Sequence, residues 1–308
     1  MKLVLPGGAG HLGTLLARSL LRDGHEIVVL SRAPGGAQAA LARQVSWDGA
    51  TVGPWAAELE RADAVINLAG RSVDCRYTPA NREAILRSRV DSTRAIGEAI
   101  AACADPPGVW LQASTATIYA HSYDTANDED SGILGGNERD VPERWRFSVG
   151  VAQAWEQALA DAPTPRTRKV ALRTAIVMSA DEGGAFDTLL GLVRRGLGGT
   201  SGGGRQYVSW IHHEDFVRAI AWLLEHQLEG DVNVTAPHPL PNAEFMRALR
   251  AAWGSRFGLP ATGWMLEVGA AFMRTETELV LKSRRVVPGR LAQEGFEFRH
   301  PLWPEAAR

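Results

Sequence analysis

The sequence predicts an α/β fold: a doubly wound parallel sheet followed by a smaller, mostly helical C-terminal lobe. Three observations carry that prediction. From Lys2 to about Ala236, short β-branched runs alternate with helical patterns, the signature of successive βαβ units. A glycine-rich turn follows the first run and leads at once into an amphipathic helical pattern. After Thr174 the alternation breaks down, glycines crowd Gly196–Gly204, and helical patterns dominate from Pro237 onward.

Taken in order, the strands read Lys2–Pro6, Glu26–Ser31, Gln44–Trp47, Ala64–Asn67, Val109–Ser114 and Lys169–Thr174, six in all and enough for a complete dinucleotide-binding sheet. Helical patterns lie between them at Leu12–Arg22, Pro54–Arg61, Pro79–Cys103 and Pro142–Leu159. Pro79 suits a first helical turn, and Ile85, Val90, Ile96 and Ile100 continue a long apolar periodicity behind it. Farther on, Ala185–Arg195 and His213–His226 read as helices and Gln206–Trp210 as a strand. Asn242–Trp253 and Trp264–Met273 are helical again, before an arginine-rich tail broken by Pro288 and Pro301. The expected division places residues 1–175 and 206–236 in a dinucleotide-binding domain. Residues 176–205 and 237–308 are left for a lobe over the carboxyl edge of the sheet, where ligands of open α/β sheets bind.

At 308 residues, 45% of them hydrophobic and 22% charged, the chain can bury a large core. Lys and Arg number 33 against 35 Asp and Glu, so the net charge of −2 gives no bulk reason to bind nucleic acid or an anionic membrane. Cys75 and Cys103 can make at most one bridge, which excludes a disulfide scaffold and fits a reducing compartment. No segment approaches the roughly 20 apolar residues of a membrane span, and Met1 leads straight into a strand rather than a secretory leader. Cytoplasm is the expected location. Lysine occurs only at Lys2, Lys169 and Lys282, leaving 30 arginines, a bias that reads as base composition.

The first strand runs into Gly7-Gly8-Ala9-Gly10-His11-Leu12-Gly13. Gly7 permits the tight turn, Gly10 lets backbone approach a pyrophosphate, and Gly13 lets the helix pack against the strand, while the helix start offers amides and a positive dipole end. A cofactor set therefore begins with Gly7, Gly10, His11, Leu12 and Gly13. An NAD site normally places Asp or Glu after the second strand, but this chain has Ser31-Arg32. A planar guanidinium at Arg32, with the Ser31 hydroxyl beside it, suits the 2′-phosphate of NADP(H).

Beyond the glycine loop stand Asn67-Leu68-Ala69-Gly70 after the fourth strand and Ser114-Thr115-Ala116-Thr117-Ile118-Tyr119 after the fifth. Together these resemble the extended short-chain dehydrogenase/reductases, the nucleotide-sugar epimerase group, whose domain is Rossmann-like. Trp47-Asp48, Ser88-Arg89-Val90-Asp91-Ser92-Thr93, Ser209-Trp210-Ile211-His212, Val287-Pro288-Gly289-Arg290-Leu291 and Gly295-Phe296-Glu297-Phe298 resemble an atypical branch, the "epimerase family proteins" with a C-terminal domain of unknown function. The likeness covers essentially the whole chain. It implies that Leu68, Ala69 and Gly70 line the adenosine and ribose side of the cofactor, that Asp48 lies by the adenine, and that Arg89 belongs with the cofactor residues. Thr115 then holds the place of the superfamily's catalytic Ser or Thr.

Ordinary members of that superfamily use a Tyr-x-x-x-Lys pair on the helix after the fifth strand, the lysine lowering the tyrosine pKa. This chain has no such pair, because Pro165 and Glu278 stand four residues before Lys169 and Lys282. Aligned on Trp155-Glu156, the helix offers Phe147 or Ser148 in place of the tyrosine and Val151 or Ala152 in place of the lysine. Two readings stay open. One is an NADP-dependent oxidoreductase or epimerase-like enzyme acting on an unknown small carbonyl or hydroxyl compound, with a donor drawn from Thr115, Tyr119, His121 or the loop Arg71–Tyr77; Thr115 and Tyr119 are the expected catalytic residues. The other is an NADPH-binding sensor or regulatory protein without turnover.

Remaining features have plainer expectations. No metal is expected at His212-His213-Glu214-Asp215, since neighbouring residues point apart and no other ligand stands at metal spacing. Cys75 reads as a chance thiol, and Glu129, in the acidic stretch Asp124–Asp130, as a weak candidate at the substrate mouth. Trp145, Trp155, Trp222 and Trp253 fall on apolar helical faces, whereas Trp210 and Trp264 are expected where the second lobe meets the cleft. By analogy with extended short-chain enzymes, Pro79–Cys103 and Pro142–Leu159 are the helices through which a monomer or weak homodimer would associate.

Overall fold

The computed structural model describes residues 1–35, 41–139, 141–263, 265 and 278–308. Its centre is a seven-stranded parallel sheet in the order β10-β6-β5-β4-β1-β2-β3. The strands are β1 (Lys2–Pro6), β2 (Glu26–Ser31), β3 (Arg43–Ser46), β4 (Ala64–Asn67), β5 (Val109–Thr115), β6 (Arg168–Thr174) and β10 (Gly230–Val234). Alternate residues of β1 serve opposite layers, as a pleated strand requires. Leu3 and Leu5 pack with Leu16, Leu20, Phe216 and Ile220 of helices α1 (His11–Arg22) and α5 (His213–Glu225). Val4 packs with Ile96, Ile100 and Leu159 of α2 (Pro79–Ala101) and α3 (Glu143–Ala160). Thr78 caps α2 by accepting the Asn81 amide at 3.3 Å, with Pro79 in the first turn.

Two expectations change here. The segment expected as a helix at Pro54–Arg61 is a 3₁₀ turn at Pro54–Glu58. Its ring donors tie it down, since Trp47 and Trp55 both donate to the Thr51 carbonyl, at 3.1 and 2.9 Å. The sheet also has a seventh strand, β10, which pairs parallel to β6 with Val234 opposite Thr174. Asp231 and Asn233 interrupt its apolar run, and both are held for other work. Arg173 forms a bidentate pair with Glu156 at 2.9 and 2.8 Å and reaches Asp231 at 2.7 Å. Asn233 accepts the Tyr119 hydroxyl at 3.0 Å and donates to the Val287 carbonyl at 2.9 Å.

Beyond β6 the chain makes β7 (Ile176–Met178), α4 (Ala185–Arg194), β8 (Tyr207–Val208), β9 (Trp210–His212), β11 (Leu240–Pro241) and α6 (Asn242–Trp253). Short helices follow at Glu278–Leu281, Gly289–Gln293 and Trp303–Ala306. The segment expected as a helix at Trp264–Met273 lies outside the described residues, apart from Met265. Phe245 and Trp303 stack 4.1 Å apart in a core shared with Met178, Val193, Met246 and Leu249. Trp210 is buried in that core with 0% exposure, so it does not face the cleft as expected. Trp253 is half exposed, under the Arg194 guanidinium, rather than core. The tail then returns across the sheet edge: Ser209 Oγ donates to the Arg284 carbonyl and accepts the Val286 amide, at 2.7 and 2.9 Å.

Candidate functional site

The glycine loop is shaped by close approach. Gly7 has φ 74°, and a Cβ there would stand 2.7 Å from the Ala69 nitrogen. A Cβ on Gly13 would meet Gly8 at 2.4 Å, so α1 can begin this near β1 only with glycine at that position. Gly10 is different: its added Cβ would meet only the Gly7 carbonyl, at 3.4 Å. It precedes α1 without any side-chain cap, leaving the first helical amides to whatever lies in front of them.

Two cavities meet over this loop, and Gly7, Gly10, Leu68, Gly70 and Arg71 line both. The first, about 520 Å³, is walled by Ser31, Arg32, Asp48, Ala69 and Arg87 among others. The Asp48 carboxylate accepts the Ala50 and Thr51 amides at 2.8 and 2.9 Å and the Thr51 hydroxyl, bonds that hold it below the usual carboxylate range. That turn fixes the loop after β3. Ser31 Oγ accepts the Ala33 amide at 3.3 Å. Arg32 is exposed and has no ion pair among the described residues, so its guanidinium is available to an anion.

The second cavity, about 480 Å³, is lined by His11, Leu12, Gly13, Arg89, Thr115 and residues of α3. Arg89 lies over the Trp155 ring at 4.9 Å and donates to the Arg71 and Ile85 carbonyls at 3.0 and 3.1 Å. Burial lowers its pKa to about 10, still well above neutral. Thr115 ends β5, and its Oγ1 accepts the Thr117 amide at 3.2 Å. Its own O–H is left to donate. His11 Nε2 is buried without a hydrogen-bond partner among the described residues.

Of the expected residues, Gly7, Gly10, His11, Leu12, Gly13, Ser31, Arg32, Asp48, Leu68, Ala69, Gly70, Arg89 and Thr115 all line this cleft. Tyr119 does not. It is 2% exposed, accepts from Arg173 and donates to Asn233, both at 3.0 Å, and burial raises its pKa. A phenol so held is a structural bolt rather than the expected donor. His121 also lies elsewhere, accepting the Ser283 amide at 2.8 Å between Tyr123 and Trp145. Glu129 is not at the mouth: it accepts the Asn233 and Arg290 amides, at 2.7 and 3.2 Å, and clamps β10 to the tail. In the loop Arg71–Tyr77, by contrast, Arg71, Ser72, Val73 and Tyr77 line the second cavity.

The structure also places α3 and the C-terminal segment at this cavity. Phe147, Ser148, Val151 and Ala152, which the sequence alignment set in place of the pair, line the cavity. Glu278 and Arg284 arrive there from the C-terminal segment, and Ser148 Oγ lies 2.5 Å from Glu278 Oε2, 130 residues away in sequence. Elsewhere the tail brings His300 Nε2 to 3.1 Å from Glu214 Oε2, and His212 completes a group whose ligand atoms lie within 4.8 Å. The absence of a further ligand, on which the no-metal expectation partly rested, therefore fails in space. None of the three lines the cleft.

Comparison with known proteins accords with this geometry. Residues 3–235 match the model of the NAD dependent epimerase/dehydratase family, and residues 261–308 match a domain of unknown function, DUF1731. The epimerase family protein SDR39U1 of Bos taurus is 33% identical over 306 residues, covering 98% of this chain and 96% of the relative. The epimerase family protein YfhF of Bacillus subtilis is 30% identical, covering 97% and 94%. The crystal structure of human epimerase family protein SDR39U1 with NADPH superposes with a TM-score of 0.86 at 30% identity, over 100% of this chain and 98% of that one. A nucleoside-diphosphate sugar epimerase of Corynebacterium glutamicum superposes at 0.75 with 26% identity, over 99% of this chain and 57% of that one. Among the described residues no helix is long and apolar enough to cross a membrane. Glycine loop, parallel sheet, cleft and tail agree with the family matches, and the chain belongs to the NAD dependent epimerase/dehydratase family, the extended short-chain dehydrogenase/reductases, in the branch of epimerase family proteins that carry a DUF1731 domain.

Proposed function

We propose that the protein is an NADP(H)-dependent oxidoreductase acting on a small carbonyl or hydroxyl compound. The observation that carries this reading is the cleft over the glycine loop, with a guanidinium that has no ion pair among the described residues at one end and a hydroxyl donor at the other. NADPH in the human relative supports the choice of cofactor. Arg32 takes the 2′-phosphate through a planar, charge-assisted contact, with Ser31 beside it. The open amides before α1 face the pyrophosphate, and Gly10 lets it come near. Leu68, Ala69 and Gly70 line the adenosine and ribose side, and Asp48 fixes the turn against which the adenine lies.

At the other end Thr115 donates its hydroxyl to the substrate oxygen, and Arg89 holds the turn at Gly70, whose added Cβ would lie 3.4 Å from the guanidinium carbon. Tyr77, Phe147 and Trp155 give the second cavity an aromatic wall. NADPH supplies a hydride when bound. The test is a panel of carbonyl compounds and quinones with NADPH, followed by absorbance loss in wild type and in Thr115→Ala. Turnover lost in the variant, with cofactor affinity kept, supports the reading. No oxidation across the panel, with tight NADPH binding and a partner recovered only in its presence, sinks it in favour of a cofactor-sensing protein.

A further inference from the structure

We propose that Glu278, carried into the cleft by the C-terminal segment, is the proton reservoir of this site and exchanges its proton with substrate through the Ser148 hydroxyl. The inference rests on the oxidoreductase reading and gives it the proton path that the missing Tyr-x-x-x-Lys pair leaves open. Four observations support it. Ser148 faces the second cavity from α3, at one of the two positions that replace the tyrosine. Its Oγ is 2.5 Å from Glu278 Oε2 and 3.5 Å from the Tyr77 hydroxyl. Glu278 is 1% exposed yet lines the same cavity, and its Oε1 has no hydrogen-bond partner among the described residues. Burial raises its pKa, and the opposing pull of Arg284, the Ser148 hydroxyl, Lys282 and Arg144 does not cancel that.

A purely structural role as counter-ion to Arg284 fits the distances less well. The nearest approach of the Arg284 guanidinium to the Glu278 carboxylate is 4.0 Å, beyond hydrogen-bond range. Arg173 and Glu156 in the same molecule show what a structural pair looks like, with two bonds of 2.9 and 2.8 Å. A buried carboxyl with one oxygen on a cavity-facing hydroxyl and the other unbonded is built to change its protonation state.

In the reductive direction hydride adds to the carbonyl carbon, and the carbonyl π electrons move onto oxygen. That oxygen takes the Ser148 hydroxyl proton as the Oγ–H bond breaks, and Oγ takes the Glu278 proton. The carboxylate left behind is reprotonated from water, so one proton is consumed for each NADPH oxidised. In the oxidative direction the carboxylate accepts the proton along the same path.

The test uses NADPH with phenanthrenequinone and nitrobenzaldehyde as probes, across a pH series, in wild type, Glu278→Gln, Glu278→Asp and Ser148→Ala. Wild-type turnover falls as pH rises past the raised carboxyl pKa. Glu278→Gln keeps NADPH affinity by fluorescence titration, loses roughly 100-fold or more in turnover, and loses that alkaline limb. Ser148→Ala behaves likewise, the double variant is no slower than either single one, and Glu278→Asp recovers part of the rate. Glu278→Gln or Ser148→Ala with wild-type rate and pH profile overturns the inference and leaves the oxidoreductase reading standing. No turnover in wild type with any probe removes that reading first, and the inference with it. Should Glu278→Gln fail to fold, the Ser148→Ala pH profile alone decides.

Discussion

The two ends of the cleft are built in different ways. Every residue named at the Arg32 end comes from the first 91 positions, on β-strand ends, the turns after them and helix α2. The substrate end gathers Gly13, Arg89, Thr115, Ser148, Glu278 and Arg284 from five separate stretches of chain, the last two beyond the sheet altogether. The first end is the more polar, with an exposed Arg32. The second is walled by aromatic rings and holds buried charges whose pKa values are displaced. What the difference teaches is that one end of the cleft is assembled from the first βαβ units alone, while the other is complete only with the C-terminal segment set against α3.

Variants can press on that division, beginning with the scaffold beneath the substrate end. Arg173→Met removes the cation that Glu156 and Asp231 share and leaves two carboxylates near one another, which costs roughly 3–5 kcal/mol of stability in a chemical denaturation curve. Since Arg173 lies on β6, NADPH affinity of the folded fraction is expected to stay; a parallel loss of affinity would show that the two ends do not separate. Thr115→Ala is expected to lower turnover by about 100-fold, the size of losing one preorganised donor, with NADPH binding unchanged. A change confined to cofactor affinity would move Thr115 from the substrate to the cofactor.

A smaller effect is expected at the His212 cluster, away from both ends. Burial and the neighbouring His213 and His300 hold His212 at about 4, below its ordinary value of 6.5. The folded protein therefore keeps this ring neutral while the unfolded chain protonates it, so stability is full above 6.5 and is lost progressively as pH falls toward 4. His212→Asn keeps an acceptor for the Glu214 amide and removes the titration. Its melting temperature should fall less steeply between those pH values. Equal slopes in the two proteins would assign the acid lability elsewhere.

The same contrast governs what could be read in the sequence. β1, β2 and β4 lie where β-branched runs place them, and the glycine loop is legible because its geometry is local. β10 is not, because Asp231 and Asn233 replace apolar residues in order to hold Arg173, Tyr119 and Val287, partners visible only in three dimensions. Tyr119 follows β5, where a donor is expected, yet its hydroxyl is consumed by Arg173 and Asn233. Ser148 and Glu278 meet across 130 residues, a distance no periodicity spans.

The claim that the cleft takes NADPH with its 2′-phosphate on Arg32 is tested most directly by titration calorimetry of NADPH and NADH into wild type and Arg32→Ala. Wild type should prefer NADPH, and Arg32→Ala should weaken NADPH by about 10- to 100-fold, the worth of a hydrogen bond to a charged group, while leaving NADH where it was. Equal losses for both cofactors, or none for either, would contradict the account.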